Sequence, residues 1–498
     1  MFVSTRDNSK AVHASEAIMR GMVPEGGLYL PDQFPKLDLE AFRVHVEDSY
    51  QDLAKWILGM LLDDFTEEEV ASCVTAAYNE ENFEQPSITP LVKLTEDRYI
   101  LELWHGPTAA FKDLALQIMP HLLVTSLRKN HCQKKVVILV ATSGDTGKAA
   151  LEGFKNVPGT EVVVFYPHEG VSPMQELQMV TTDGNNTHVV AVKGNFDDCQ
   201  TAVKELFADQ DMIGQLDKIG YQFSSANSIN WGRLSPQVVY YVAAYLNLVR
   251  RGQIKLGDYV DFSVPTGNFG NILAAYIAKE MGLPIGRLIC ASNENNVLTD
   301  FFRTGRYDAN RPFYRTISPS MDILISSNLE RYLYLKSGRK GTQIAKWMDE
   351  LKESGQFTVD EDLKAAMAED IAAADADENA AKDVIAKVFA DSRYLLDPHT
   401  AVGVSAAGLS NRLVVVDATA NPFKFVQAVS EALYPEQDTS HIDALSLMED
   451  LAEKTNTPIH RALGKLAQSG ERPHPVIDIG EIRETVVSLL TEAASEEK

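Results

Sequence analysis

The chain has 498 residues, 45% of them apolar and 23% charged. That balance is ordinary for a globular protein and excludes a disordered tail, a collagen-like repeat and a small disulfide scaffold; the length allows about three domains. Lys plus Arg number 46 against 70 Asp plus Glu, a formal charge of −24, so the surface repels nucleic acid and anionic lipid, and an anionic substrate must be drawn in by a local set of donors.

The opening residues, Met1 to Lys10, lack the apolar core of a secretory signal. Cys73, Cys132, Cys199 and Cys290 are scattered, without a C-x-x-C pair. Four free thiols suit a reducing compartment rather than zinc or disulfide chemistry. The longest apolar stretches are strand-sized, so no membrane span and a cytoplasmic location are expected. Residues up to about Tyr78 are read as helices around a glycine turn at Gly26-Gly27.

From about Arg98 the pattern changes. Short β-branched runs recur at Tyr99–Trp104, Val136–Ala141, Val162–Tyr166, His188–Val192, Tyr259–Val264, Leu288–Ala291 and Leu413–Val416, each followed by a turn and a helical stretch. Fully apolar strands alternating with helices predict an α/β fold, a mostly parallel, twisted sheet covered by helices on both faces. Ligands of such sheets bind beyond the carboxyl ends of the strands. The acidic, Ala-rich stretch Lys340–Asp391 is expected to be exposed helix, and the tail after about Pro435 to be helical with a break near Pro473 and Pro475.

Four loops after these runs have residues suited to chemistry. In Trp104–Asp113, Lys112 stands where a helix begins (Leu114–Leu127, with a kink expected at Pro120). A partly buried lysine has a lowered pKa, and its neutral amine can form a Schiff base; a lone lysine is far more often a solvated side chain. The glycine loop Ala141–Gly147 opens a helix and offers main-chain N–H groups to an anion. It is not an ATP-binding P-loop, because Thr142 and Ala149 occupy positions that motif needs for glycine and a hydroxyl residue. Pro265–Asn271 has two glycines before a helix at Ile272–Met281, which lets the backbone approach a phosphate. Ser225–Arg233 gathers amides, hydroxyls and a guanidinium that can cradle a dianion, although on spacing alone an N-cap before an ordinary helix is the slightly better explanation.

Together these loops resemble those of the threonine synthase family, pyridoxal-phosphate enzymes of fold type II in the tryptophan synthase β-like group. The likeness extends through Ser4–Arg6, Gly26–Pro31, Gly194–Gln200, Ser318–Asp322, Asp397–Thr400 and Ala418–Phe425, in order along nearly the whole chain. It implies two α/β domains plus an N-terminal helical segment: residues 1–95, a catalytic region 96–435 with a smaller mobile part at about 100–220 and the acidic insertion at about 340–391, and a helical extension 436–498.

The resemblance also implies roles. Lys112 would hold the cofactor, pyridoxal 5'-phosphate, and later move protons. Gly267, Asn268, Phe269, Gly270 and Asn271 would hold its phosphate, and Thr419 would face its ring nitrogen. Ser143, Gly144, Asp145 and Thr146 would bind the substrate carboxylate, and Asn227, Ser228 and Arg233 the substrate phosphate. The implied reaction turns O-phospho-L-homoserine and water into L-threonine and phosphate, in a monomer or homodimer with small-molecule partners only and no metal. Departures from the family pattern are Lys148, expected to point to solvent, Ala109, and Asn421, which leaves the hydrogen bonds around Thr419 open. The rivals are a dehydratase of the same cofactor group, which needs no site for a leaving phosphate, and a binding module, which has no need of Lys112.

Overall fold

The computed structural model describes residues 1–496 except 143, 169, 440 and 471. The strands run in chain order as β1 (Phe2–Ser4), β2 (Tyr29–Pro31), β3 (Leu91–Lys93), β4 (Arg98–Glu102), β5 (Lys135–Ala141), β6 (Thr160–Pro167), β7 (Thr187–Lys193) and β8 (Tyr221–Ser224). They continue as β9 (Val260–Pro265), β10 (Ile285–Ser292), β11 (Arg306–Asp308), β12 (Gln356–Thr358), β13 (Ile371–Asp375), β14 (Val414–Ala418) and β15 (Val476–Asp478).

Two sheets dominate. The larger has the order β13-β10-β9-β14-β4-β3, all parallel except the β3–β4 edge. The smaller has the order β15-β7-β6-β5-β8 and is wholly parallel. Every residue of β6, β9 and β14 is buried, as strands covered on both faces must be. All seven predicted runs are strands.

Several expectations change. The smaller sheet starts at Lys135 rather than near 100, because β4 pairs with β14 in the larger sheet. The N-terminal segment is not purely helical: β1 and β2 form an antiparallel pair. The acidic stretch is not simply exposed helix. Its Ile371–Asp375 is an edge strand of the larger sheet, aligned with Leu288–Ser292, and the preceding Asp370 is tied down by Lys279 at 2.8 Å. Small alanine side chains suit an edge covered by helices, although their propensity is helical. The C-terminal tail is helical up to Gln468, but its Val476–Asp478 joins the smaller sheet beside β7. Ala191 N–H donates to the Pro475 carbonyl there, and Arg472 binds the carbonyls of Val180, Thr182 and Gly184.

The predicted helix 114–127 is two helices, Asp113–Leu116 and Met119–Lys129. Pro120 falls in the first turn of the second, where its missing N–H costs nothing. The short helix lies on Asp145–Phe154 through Gly153, where a Cβ would stand 1.9 Å from the Leu116 carbonyl oxygen. Gly153→Ala must therefore spread two backbones; an unfolding free energy lower by about 2 kcal/mol is expected in urea titration. No helix among the described residues is long and apolar enough to cross a membrane.

Candidate active site

The candidate residues lie in loops at the carboxyl ends of β4, β5, β8, β9 and β14, where the two sheets face each other. Lys112 is fixed by its neighbours. Phe111 N–H donates to the Thr419 carbonyl at 2.8 Å, and Ala110 pairs with Ala420. The Asp113 carboxylate, fully buried, accepts from Thr108 N–H at 2.8 Å and Thr108 Oγ1 at 2.7 Å. Tyr78 OH from the N-terminal segment donates to the Leu114 carbonyl at 2.6 Å.

The Lys112 ammonium lies 3.5 Å from Asp145 Oδ2 and donates to Ser320 Oγ at 3.1 Å. Ser320 Oγ donates in turn to Asp145 Oδ2 at 3.1 Å. Burial pushes the Lys112 amine down to about 8; Asp145 opposes this, and the nearby Lys424 and Arg233 cations add to it. Near neutrality this lysine therefore exchanges readily between its charged and nucleophilic forms. Burial alone would raise the Asp145 carboxyl, but Lys424 and Lys112 reverse that and hold it far below the usual carboxylate range.

Ser320 links Lys112 to the predicted phosphate loop. A Cβ on Gly267 would stand 2.7 Å from the Ser320 carbonyl oxygen and 3.3 Å from Met321 Cα, so the two loops are in backbone contact. The helix Gly270–Glu280 starts from Phe269 in the left-handed conformation, with no side chain capping it. Such an uncapped start, its N–H groups free of side-chain acceptors, favours a phosphate. With a reactive amine one residue away across Ser320, it fits a phosphorylated aldehyde. The Gly267 and Asn268 carbonyls are held by Ser326 Oγ at 2.7 Å and Asn328 N–H at 3.1 Å.

Asn271 differs from the rest of its loop. Its side chain points below the loop, bonded to Tyr240 OH, to Tyr241 OH at 2.7 Å and to Asp417 Oδ2 at 3.0 Å. Only its main chain remains at the helix start. Burial lifts the Asp417 carboxyl to about 7, against the pull of Tyr241 and Asn271.

In the glycine loop, Ser143 lies outside the described residues. Gly144 and Gly147 N–H groups both donate to Thr142 Oγ1, at 3.0 and 2.9 Å. The Asp145 side chain is taken up by Lys424 at 2.8 Å and Gln175 Nε2 at 3.1 Å, besides Ser320. A carboxylate cannot bind another carboxylate, so among the described residues this loop can receive one through main-chain groups and Thr146 but not through the Asp145 side chain. Lys148 is a correction: it does not point to solvent. It is 5% exposed, and its ammonium meets Glu152 at 2.5 Å and Thr182 Oγ1 at 2.9 Å. It lines a cavity of about 960 Å³ bordered by Gly106, Pro107, Gln117 and His460 and not by Lys112, Arg233 or Gly267–Asn271.

Arg233 is 5% exposed and donates to the Ala226 carbonyl at 2.7 Å. Burial lowers it to about 10, still charged at neutral pH. Among the described residues no carboxylate pairs with it. Its short helix, Trp231–Leu234, packs against both the Lys112 helix and Gly270–Glu280. Asn230 is an N-cap accepting from Gly232 N–H at 2.9 Å, as the helix-cap explanation expects. Asn227 is exposed, and the Ser228 carbonyl accepts from Asn328 Nδ2 at 3.2 Å. The N-terminal hairpin braces this segment: buried Arg331 donates to the Tyr29 carbonyl at 2.8 Å, to the Ile229 carbonyl at 2.5 Å and to Asn328 Oδ1 at 2.7 Å.

Sequence reasoning singled out neither Ser320, Lys424 nor His399. The signal was present for Lys424, a lone lysine in the apolar run Pro422–Val426. Asn421 accepts from Phe423 N–H at 3.0 Å, and its own N–H donates to the Ala109 carbonyl.

Residues 84–417 match the family described as pyridoxal-phosphate dependent enzyme, and residues 1–78 match threonine synthase N terminus. With the parallel two-sheet architecture, this makes the chain a pyridoxal-phosphate-dependent enzyme of fold type II. It is 38% identical over 482 residues to the threonine synthase of Pseudomonas aeruginosa, covering 95% of this chain and 100% of that protein. The PLP-bound threonine synthase structure from Brucella melitensis superposes with a TM-score of 0.88 at 35% identity, covering 99% of each chain. The chain belongs to the threonine synthase family. It is also 41% identical over 456 residues to human threonine synthase-like 1, covering 87% of this chain and 60% of that longer protein.

Proposed function

We propose that the protein converts O-phospho-L-homoserine and water into L-threonine and inorganic phosphate. The observation that carries this reading is Arg233: a buried guanidinium with no carboxylate partner among the described residues, on a helix packed against the Lys112 helix. A dehydratase needs no such cation; a substrate with a departing phosphate does.

Pyridoxal phosphate, when bound, supplies an electrophilic carbonyl and a ring that accepts electron pairs. The protein's residues do the rest. Lys112 holds the cofactor aldehyde and then moves protons at the α and β carbons of the substrate. The main chain of Gly267, Asn268, Phe269, Gly270 and Asn271 receives the cofactor phosphate, and Thr419 faces the ring nitrogen. Main-chain groups of the Ser143–Thr146 loop receive the substrate carboxylate, with the Asp145 side chain serving as counter-ion to lysines. Asn227, Ser228 and Arg233 receive the substrate phosphate, and Arg233 stabilises charge as that phosphate leaves. The small sheet, carrying Asp145, closes on the large one to exclude water. Four free cysteines, three of them buried, suit a cytoplasmic setting.

Incubating purified, cofactor-loaded protein with O-phospho-L-homoserine should release threonine and phosphate in equal amounts. Phosphate without threonine, or turnover of serine or threonine alone, would overturn the reading. Gly267→Ala should push the phosphate loop off Ser320 and weaken cofactor binding about tenfold, the effect of about 1.4 kcal/mol, as read by equilibrium dialysis.

A further inference from the structure

Lys424 is buried to 2% exposure. Among the described residues its ammonium bonds to Asp145 Oδ1 at 2.8 Å and to the Thr108 carbonyl at 2.9 Å. Asp145 opens the helix after β5 in the smaller sheet. Lys424 follows β14 in the larger sheet, and Thr108 belongs to the loop that carries Lys112. One side chain thus joins the three segments on which Lys112 depends. A buried ion pair repays its desolvation poorly, so its presence here needs a reason other than stability.

The geometry supplies one. Asp145 divides its two oxygens: Oδ1 faces Lys424 and Gln175, and Oδ2 faces Ser320 and, at 3.5 Å, Lys112. Without Lys424 the carboxylate would have Lys112 as its nearest cation and would hold it charged. We propose that Lys424 is a positioning residue that acts through Asp145, drawing the carboxylate back so that the Lys112 amine is free to capture the cofactor. This inference rests on Lys112 being the capturing amine.

The groups facing Lys112 are Asp145, Lys424, Arg233 from Trp231–Leu234 and the Ser320 hydroxyl from Pro319–Met321. His399 faces Asp145 from Pro398–Ala406, and Asp113 faces Lys424. His399 is fixed by accepting from Ser320 N–H through Nε2 at 3.1 Å, which leaves its Nδ1–H for Asp397 at 2.8 Å. Burial is the main cause of the lowered Lys112 amine, at about 8; Asp145 opposes it and Lys424 adds to it.

The test follows the rate at which the full chain, stripped of cofactor, takes up pyridoxal phosphate as pH rises, read from the visible absorbance of the bound cofactor. The rate should climb with the free amine and level off above a midpoint of about 8. Lys424→Met should raise the midpoint by about one pH unit, slowing capture at neutral pH about tenfold, and Lys424→Arg should restore it. In an Asp145→Asn background the same Lys424→Met change should move the midpoint much less. Equal shifts in both backgrounds, or none in the wild-type background, would overturn the proposal. If Lys424→Met alone does not fold, comparing Asp145→Asn with the double variant still decides: a shift of about one unit there defeats the positioning role. If the wild-type chain captures no cofactor at Lys112, the functional reading itself fails, a separate outcome.

Discussion

Substituting alanine for Lys112 is expected to lower turnover by at least about 10⁴-fold, because in the proposed reaction the same amine would hold the cofactor and carry the protons. Lys112→Arg should be equally inactive: a guanidinium stays protonated and cannot form the covalent link. The fold should not suffer. Burial lowers the Lys112 amine to about 8 from an ordinary 10.5. Between those values the unfolded chain binds the extra proton, so stability rises with pH there, and below about 8 the whole cost of burying the cation is present. At neutral pH the alanine variant should therefore melt no lower than the parent. Threonine formation, cofactor retention and a melting curve on the same preparation check all three statements. Activity within tenfold of the parent would remove Lys112 from the chemistry.

Arg233→Ala is expected to reduce kcat/KM for O-phospho-L-homoserine by about 10²–10³-fold, the usual effect of deleting a donor aimed at developing charge. The guanidinium is already desolvated, and the Ala226 carbonyl holds one end at 2.7 Å. Its remaining donors are thus preorganised, and little ordering remains to be done when a phosphate arrives. Arg233→Lys should recover only a small part, since a point charge cannot make the forked contact. Competitive inhibition by inorganic phosphate should weaken in parallel. Steady-state kinetics with and without added phosphate test this; an unchanged kcat/KM would place the substrate phosphate elsewhere.

How much of this was legible beforehand depends on the residue type at each place. Val136–Ala141 and Leu413–Val416 announce buried parallel strands because only apolar, β-branched residues tolerate burial on both faces. β8, with Gln222 in its short Tyr-Gln-Phe-Ser run, carries no such signal. β13 is concealed because Ala372–Ala374 favour helix; tertiary pairing with β10 overrides that preference. β15 is three residues long and sits in a proline-rich stretch. In the site, local spacing made Lys112 and the glycine loops candidates, and the roles proposed for them came from the family resemblance. Ser320 and Lys424 act from loops more than two hundred residues away in the chain, and no local pattern reports that distance. Lys148 was misread because a lysine after a glycine turn is usually solvated, whereas here Glu152, one helical turn on, shares its burial.

The returning tail alters how the two halves can move. After packing beside the larger half, where Arg461 N–H donates to Glu84 at 2.9 Å, the chain crosses back and lays β15 on the outer edge of the smaller sheet. The tail is thereby bonded to both halves, so relative motion of the two must bend it or break one of these attachments. The docked strand also keeps the β7 edge from pairing with a stranger's strand.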